Sequence, residues 1–262
     1  MIVNADDFGL DSSTNGGIVA AFRTGLISST TLMANQPGYE EAVELAHEHG
    51  LADHVGAHLV LTRGMPLTEP IRRLRRFCND DGAFVPWHAE ARAWRLSSQE
   101  REATLEELSA QVQRIRASRL PVTHLDSHHQ VHNDWPIGSC VISVARSAGI
   151  PRVRIARNCG AGISAASAAY KRLFNWRLHR RGLAGTRWFG GAEQWAHLRE
   201  HGASAASLDD FELMTHPMLD GPDRLVDALA GVDLAAVLAP VSGIAAAVSY
   251  SGTRYIAVGS PT

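Results

Sequence analysis

Residues 124 to 132 read HLDSHHQVH, placing His124, Asp126, His128, His129 and His132 within nine positions. Imidazole and carboxylate groups ligate divalent metals, and they are also the usual proton carriers in hydrolysis. A second group opens the chain, where NADDFGL sets Asp6 beside Asp7. His58 in GAHLVLT and His216 in ELMTHP complete the set. Two imidazoles and one carboxylate with an open position make a catalytic rather than a structural metal site. Such ligands suit Zn²⁺, Fe²⁺ or Co²⁺ better than Mg²⁺, which prefers oxygen and keeps several waters. A further carboxylate that is not a ligand would be a natural base for a metal-bound water.

In an extended run, side chains two apart share a face, so His124, Asp126 and His128 point one way and Leu125 and Ser127 the other. His129 and His132 then fall in a loop, where they support the site from behind or approach a substrate. Taken singly, each residue has a blander reading. Asp6 and Asp7 would serve a turn or a helix N-cap, and His58 would be a core histidine. Their common placement argues for chemistry.

That placement depends on the elements. Residues 1–5 make a mostly apolar start and read as a buried strand, followed by N-cap chemistry in DSSTNGG and a helix ending near Gly25. LISSTTLMAN, HVGAHLVLT, PVTHLD, RVRI, FELMTH and TRYIAVG read as further strands. Helices are expected at YEEAVELAHEHG, from about Ser97 to Ser118, and at WPIGSCVISVARSAG, GAEQWAHLREHG and PDRLVDALAG. The alternation predicts parallel strands with crossover helices. No G-x-G-x-x-G follows the first strand, which favours a barrel over an open dinucleotide-binding sheet. Asp6, Asp7, His58, Asp126, His128 and His216 then all sit at C-terminal strand ends, where barrel active sites assemble. Two insertions, about 63–96 and 158–186, break the rhythm and are expected to border the mouth. One domain over residues 1–262 is expected.

Bulk properties narrow the classes. The 262 residues are 45% hydrophobic and 20% charged, with a net charge of −2, ordinary for a globular protein. Nothing in this balance calls for nucleic acid or an anionic membrane. No apolar run approaches the roughly 20 residues of a membrane span, and Met1 leads into no secretory signal. A cytoplasmic location is expected, and self-association is left open. Three widely spaced cysteines form no C-x-x-C motif and read as buried thiols.

NADDFGL, SSTTLMAN, GAHLVLT, THLDSHHQVH and ELMTHP, in this order, resemble the YdjC-like carbohydrate deacetylases, which include chitooligosaccharide deacetylase and are related to the NodB-type polysaccharide deacetylases. The resemblance implies a distorted TIM-like (β/α) barrel and removal of acetyl from an N-acetylated mono- or short oligosaccharide. It implies one divalent metal, Zn²⁺ first and Mg²⁺ or another ion as alternatives, on Asp7, His58 and His128. Asp6 would be the base, and His216 would protonate the leaving amine. Arg154 would orient the base or the substrate, with Asp126 and His132 as substrate-binding or supporting groups. The chain departs from the family pattern at Gln130, where a histidine is usual. Two rival readings are a barrel metallohydrolase acting on a phosphoester or cyclic amide, and a silent sugar- or metal-binding module. Retention of both Asp6 and His216 argues against the second, since binding needs neither base nor acid.

Overall fold

The structure, a computed structural model, describes residues 1–86, 95–222, 224–241 and 248–252. Six strands form one parallel sheet: β1 (Ile2–Phe8), β2 (Ser29–Leu32), β3 (Val55–Leu59), β4 (Leu125–Ser127), β5 (Trp188–Gly190) and β6 (Phe211–Thr215). Their spatial order is β4-β3-β2-β1-β6-β5. The sheet curls until its two edges are joined through a short connecting stretch. Leu125 bridges Val153, and Arg152 bridges Ala184, both in parallel. Leu125 N donates to Arg152 O at 3.0 Å, and Val153 N to Ala184 O at 3.0 Å. Ala184 lies just ahead of β5, so the circuit closes as a distorted barrel.

Burial explains the strand sequences. Every residue of β2, β3 and β4 is buried, so each strand is covered on both faces, as parallel strands under crossover helices are. Helices α1 (Ser12–Arg23), α2 (Tyr39–Glu48), the single turn α3 (Glu69–Arg72), α4 (Ser98–Ala117), α5 (Trp135–Ser147), α6 (Ala165–Arg180) and α7 (Ala192–Glu200) provide the cover. The Asp11 carboxylate accepts from Thr14 N at 2.9 Å and starts α1 directly after the first strand. Ser97 and Glu100 cap α4 reciprocally. On its inner face α4 buries Leu108, Val112 and Ile115. It also buries Glu107, whose carboxylate accepts from Leu67 N at 3.0 Å and Thr68 N at 2.8 Å, tying down the start of the first insertion.

Three expectations need correction. PDRLVDALAG is not a helix: Leu225–Asp227 forms β8 of a small antiparallel sheet, between β7 (Pro217–Leu219) and β9 (Val232–Asp233). Pairing of Met218 with Val226 and Val226 with Asp233 outweighs the local helical spacing. RVRI makes only single bridges, through Arg152 and Val153. β5 had no counterpart among the expected strands, because WFG is too short to show a period. The expected strand TRYIAVG lies outside the described residues apart from its surroundings up to residue 252. No helix among the described residues is long and apolar enough to cross a membrane.

Candidate metal and active site

Asp6 and Asp7 are adjacent, and a regular strand would send them to opposite faces. Here the register of β1 against β2 slips between Ala5 and Phe8, and Asp7 takes φ +71°. This is a bulge with a left-handed residue, a conformation that aspartate tolerates better than most. Both carboxylates therefore reach the cavity at the C-terminal end of the barrel. Gly9, at φ +88°, completes the turn, and its N–H donates to Asn15 Oδ1 at 2.7 Å.

His58, on β3, stands between two carboxylates. Its Nε2 is 3.0 Å from Asp7 Oδ1, and its Nδ1 is 2.7 Å from Asp126 Oδ1. Thr31 Oγ1 donates to Asp126 Oδ2 at 3.0 Å, so Asp126 is itself held from β2. His128 Nδ1 is 2.9 Å from the same Asp7 oxygen. His128 opens a 3₁₀ stretch, His128–Asn133, that kinks at His129 (φ 55°) and Gln130 (φ 53°). The kink sends Gln130 to the cavity wall and returns His132 to the interior. There His132 Nδ1 pairs with Ser127 Oγ at 2.6 Å, and its backbone N–H donates to the same oxygen at 3.0 Å. Burial, reinforced by the Arg154 charge, pushes the His132 imidazole down to about 3. His132 is thus a neutral staple of the loop, and it does not line the cavity.

Arg154 is fully buried. Its NH1 and NH2 donate to Asp6 Oδ2 and Oδ1, each at 2.7 Å. NH1 also lies 2.7 Å from Asp126 Oδ2, and Nε donates to Glu212 Oε1 at 2.6 Å. Burial alone would raise the Asp6 carboxyl, but the paired guanidinium outweighs it and holds Asp6 at about 2. Burial likewise opposes charge on Asp7, yet hydrogen bonds from His128 and His58 hold it well below the usual carboxylate range. For His58, the Asp126 carboxylate overcomes burial and raises the imidazole to about 10. The cluster sets four carboxyl groups, on Asp6, Asp7, Asp126 and Glu212, against the single guanidinium of Arg154.

Among the described residues, two groups of ligand atoms lie within 4.8 Å of one another: Asp7, His58 and His128, and Asp6, His58 and Asp126. Only the first is suited to a metal. In the second, both carboxylates already receive the Arg154 guanidinium, a cation that would repel another. In the first, among the described residues, the Asp7 carboxylate is paired only with the two histidines, and His128 Nε2 has no hydrogen-bond partner. His58, with one nitrogen on Asp126 and the other facing Asp7, has the carboxylate–histidine arrangement that orients a metal ligand.

His216 follows β6 and lines the same cavity, together with Met214, Tyr170, Lys171 and Leu229. Its backbone N–H donates to Asp227 Oδ2 at 2.9 Å, and Asp227 Oδ1 accepts from Leu229 N at 3.1 Å. The cavity holds about 530 Å³, within the roughly 300–1,000 Å³ of small-ligand pockets. Ser167, Tyr170 and Lys171 belong to the second insertion, which borders the mouth as expected. No described residue of the first insertion lines it, and Trp87 and Trp94 lie outside the described residues.

Asp6, Asp7, His58, His128 and His216 thus meet at the cavity, and Asp126, His132 and Arg154 stand behind its wall. His124 is turned away, stacked on Tyr250 with ring centroids 3.8 Å apart. Tyr250 and Asp227 belong to no motif of the sequence. A charged residue in the apolar run FELMT was the one available signal for Glu212.

A family described as YdjC-like protein matches residues 1–240. Among curated relatives, a carbohydrate deacetylase of Brevibacillus brevis is 41% identical over 58% of this chain and 57% of its own. A chitooligosaccharide deacetylase of Serratia marcescens is 36% identical over 58% and 57%. The chain thus matches a little over half the length of these relatives. A crystal structure of an Enterococcus faecalis V583 protein, described as a candidate for cellobiose-phosphate cleavage, shares the fold with a TM-score of 0.63 at 23% identity, covering 93% of this chain and 85% of the other. The family match spans every segment that converges on the cavity, from the Asp6–Asp7 bulge to His216, and the chain belongs to the YdjC-like family.

Proposed function

We propose that the protein is a metal-dependent hydrolase that removes the acetyl group from an N-acetylated mono- or short oligosaccharide. One observation carries the reading: Asp7, His58 and His128 gather their ligand atoms at one point of a cavity that Asp6 and His216 also line. The deacetylase names of the relatives agree with it. Asp7, His58 and His128 would hold one divalent ion, with Zn²⁺ the best match to two imidazoles and a carboxylate. When bound, that ion supplies a Lewis acid for the acetyl carbonyl and an acidified water.

The remaining work falls to the chain. Asp126 accepts the Nδ1 proton of His58 and fixes Nε2 toward Asp7. Asp6, ionised and held by Arg154, accepts the proton of the attacking water. His216 gives a proton to the nitrogen as the C–N bond breaks, because an amine is a poor leaving group without one. Acetate and an amino sugar result. Asp227 sets the position of His216 through its backbone.

The size of the cavity favours a mono- or disaccharide. The test is acetate release across N-acetylated mono- to tetrasaccharides, with kcat/KM compared along the ladder. A value that stops rising by the dimer supports a closed pocket. A value still climbing beyond the trimer would mean an extended groove, and phosphate release without acetate would indicate a different hydrolase.

A further inference from the structure

Glu212 is a fully buried carboxylate in the strand FELMT, and its side chain is bonded to Arg154 and Tyr250, neither of which lines the cavity. Its two oxygens face in different directions. Oε1 accepts from Arg154 Nε at 2.6 Å, and Oε2 accepts from the Tyr250 hydroxyl. Tyr250 is itself buried, and its ring lies on His124 at 3.8 Å and an interplanar angle of 20°. His124 in turn presses on Gly56, where a Cβ would come within 2.4 Å of the imidazole. The stack therefore has no slack on its far side.

A guanidinium is planar, with its donors in a fixed fork. The Nε edge bonded to Glu212 sets the plane in which NH1 and NH2 meet both oxygens of Asp6. Asp126 shares NH1, and Glu212 takes the remaining donor position, at Nε.

We propose that Glu212 and Tyr250 are positioning residues: the Tyr250 hydroxyl fixes Glu212, Glu212 fixes the plane of Arg154, and that plane holds Asp6 turned toward the cavity. The proposal rests on the reading of Asp6 as the base. Part of the active site is thus set from a segment, 248–252, that lies beyond the family match to residue 240. It also gives His124 a use, as the platform beneath Tyr250 rather than as a ligand.

The test is a double-mutant cycle on the metal-loaded enzyme, using acetate release. Glu212→Gln keeps the shape and one acceptor, and it should lower kcat by about tenfold or more with KM within about twofold, the pattern of a lost transition-state interaction. Tyr250→Phe should act in the same direction and less strongly, with metal content unchanged in both. In an Asp6→Asn background, adding either change should cost less than about a further twofold, because the group being positioned is already gone. Additive losses in that background, or losses that only track a fall in metal content, would make the pair structural and overturn the proposal. Should Glu212→Gln fail to fold, Tyr250→Phe decides by the same criteria. Full activity in Glu212→Gln with a crippled Asp6→Asn overturns the positioning and leaves the function standing. Full activity in Asp6→Asn overturns both.

Discussion

Asp6 and Asp7, neighbours in the chain, share one cavity because the backbone turns left-handed at Asp7. The two carboxylates then part company: Asp6 faces the Arg154 guanidinium, and Asp7 faces the rings of His58 and His128. One bulge therefore supplies a restrained carboxylate and a ligand-like one from consecutive residues.

Removing the Asp7 side chain should abolish metal binding whichever residue replaces it, but stability should distinguish the replacements. Glycine accepts φ +71° without a Cβ penalty and alanine does not. Asp7→Gly should therefore be about 1 kcal/mol more stable than Asp7→Ala in chemical denaturation. Equal midpoints would show that the turn relaxes once the carboxylate is gone.

Asp6 should leave a signature in acid. Its carboxyl is pulled from an ordinary value of 3.8 to about 2 in the fold. A depressed carboxyl contributes stability that is fully present above the unfolded value and is lost as pH falls through the folded one. The contribution is on the order of 2 kcal/mol, lost between about pH 4 and pH 2. Urea midpoints of metal-free protein across that window should fall more steeply for the wild type than for Asp6→Asn. At neutral pH the metal-loaded variant should keep its ion and lose turnover by about a hundredfold or more. If Asp6→Asn loses the metal while Asp7→Asn keeps it, the two roles are exchanged.

His216→Ala should slow hydrolysis of the amide far more than hydrolysis of an activated ester on the same sugar, since the ester's leaving group needs no proton. Equal losses on both would make His216 a hydrogen-bond donor to the carbonyl oxygen or a structural residue.

Asp227 joins the backbone of His216 to that of Leu229 and Ala230, and it accepts from Thr215 Oγ1 at 2.8 Å. Asp227→Ala leaves those donors unpaired, costing about 1–3 kcal/mol for each buried one. The melting temperature should fall, and kcat should fall in the fraction that remains folded. An unchanged melting temperature would mean that water replaces the carboxylate.

The sequence made the barrel and most of the site legible for a physical reason. Alternation of apolar strands with capped helices sets the architecture, and ligand-type residues at strand ends advertise chemistry. His58, His128 and the Asp pair were visible in this way. Residues whose role depends on three-dimensional pairing were not. Asp227 sat in a stretch with helical spacing that pairs instead as β8, and Tyr250 gave no local sign of its contact with Glu212. The alternation of His124, Asp126 and His128 also misled in part. Asp126 and His128 do contact His58 and Asp7, but His124 precedes β4, which spans Leu125–Ser127, and stacks on Tyr250.

The most direct measurement is acetate release from an N-acetylated disaccharide by chelator-stripped protein, before and after one equivalent of Zn²⁺ is restored, beside the His58→Ala/His128→Ala variant treated in the same way. The account predicts no release from the stripped protein, recovery on adding the ion, and no recovery in the variant. Release that survives stripping, or a variant that recovers as fully as the wild type, would contradict it.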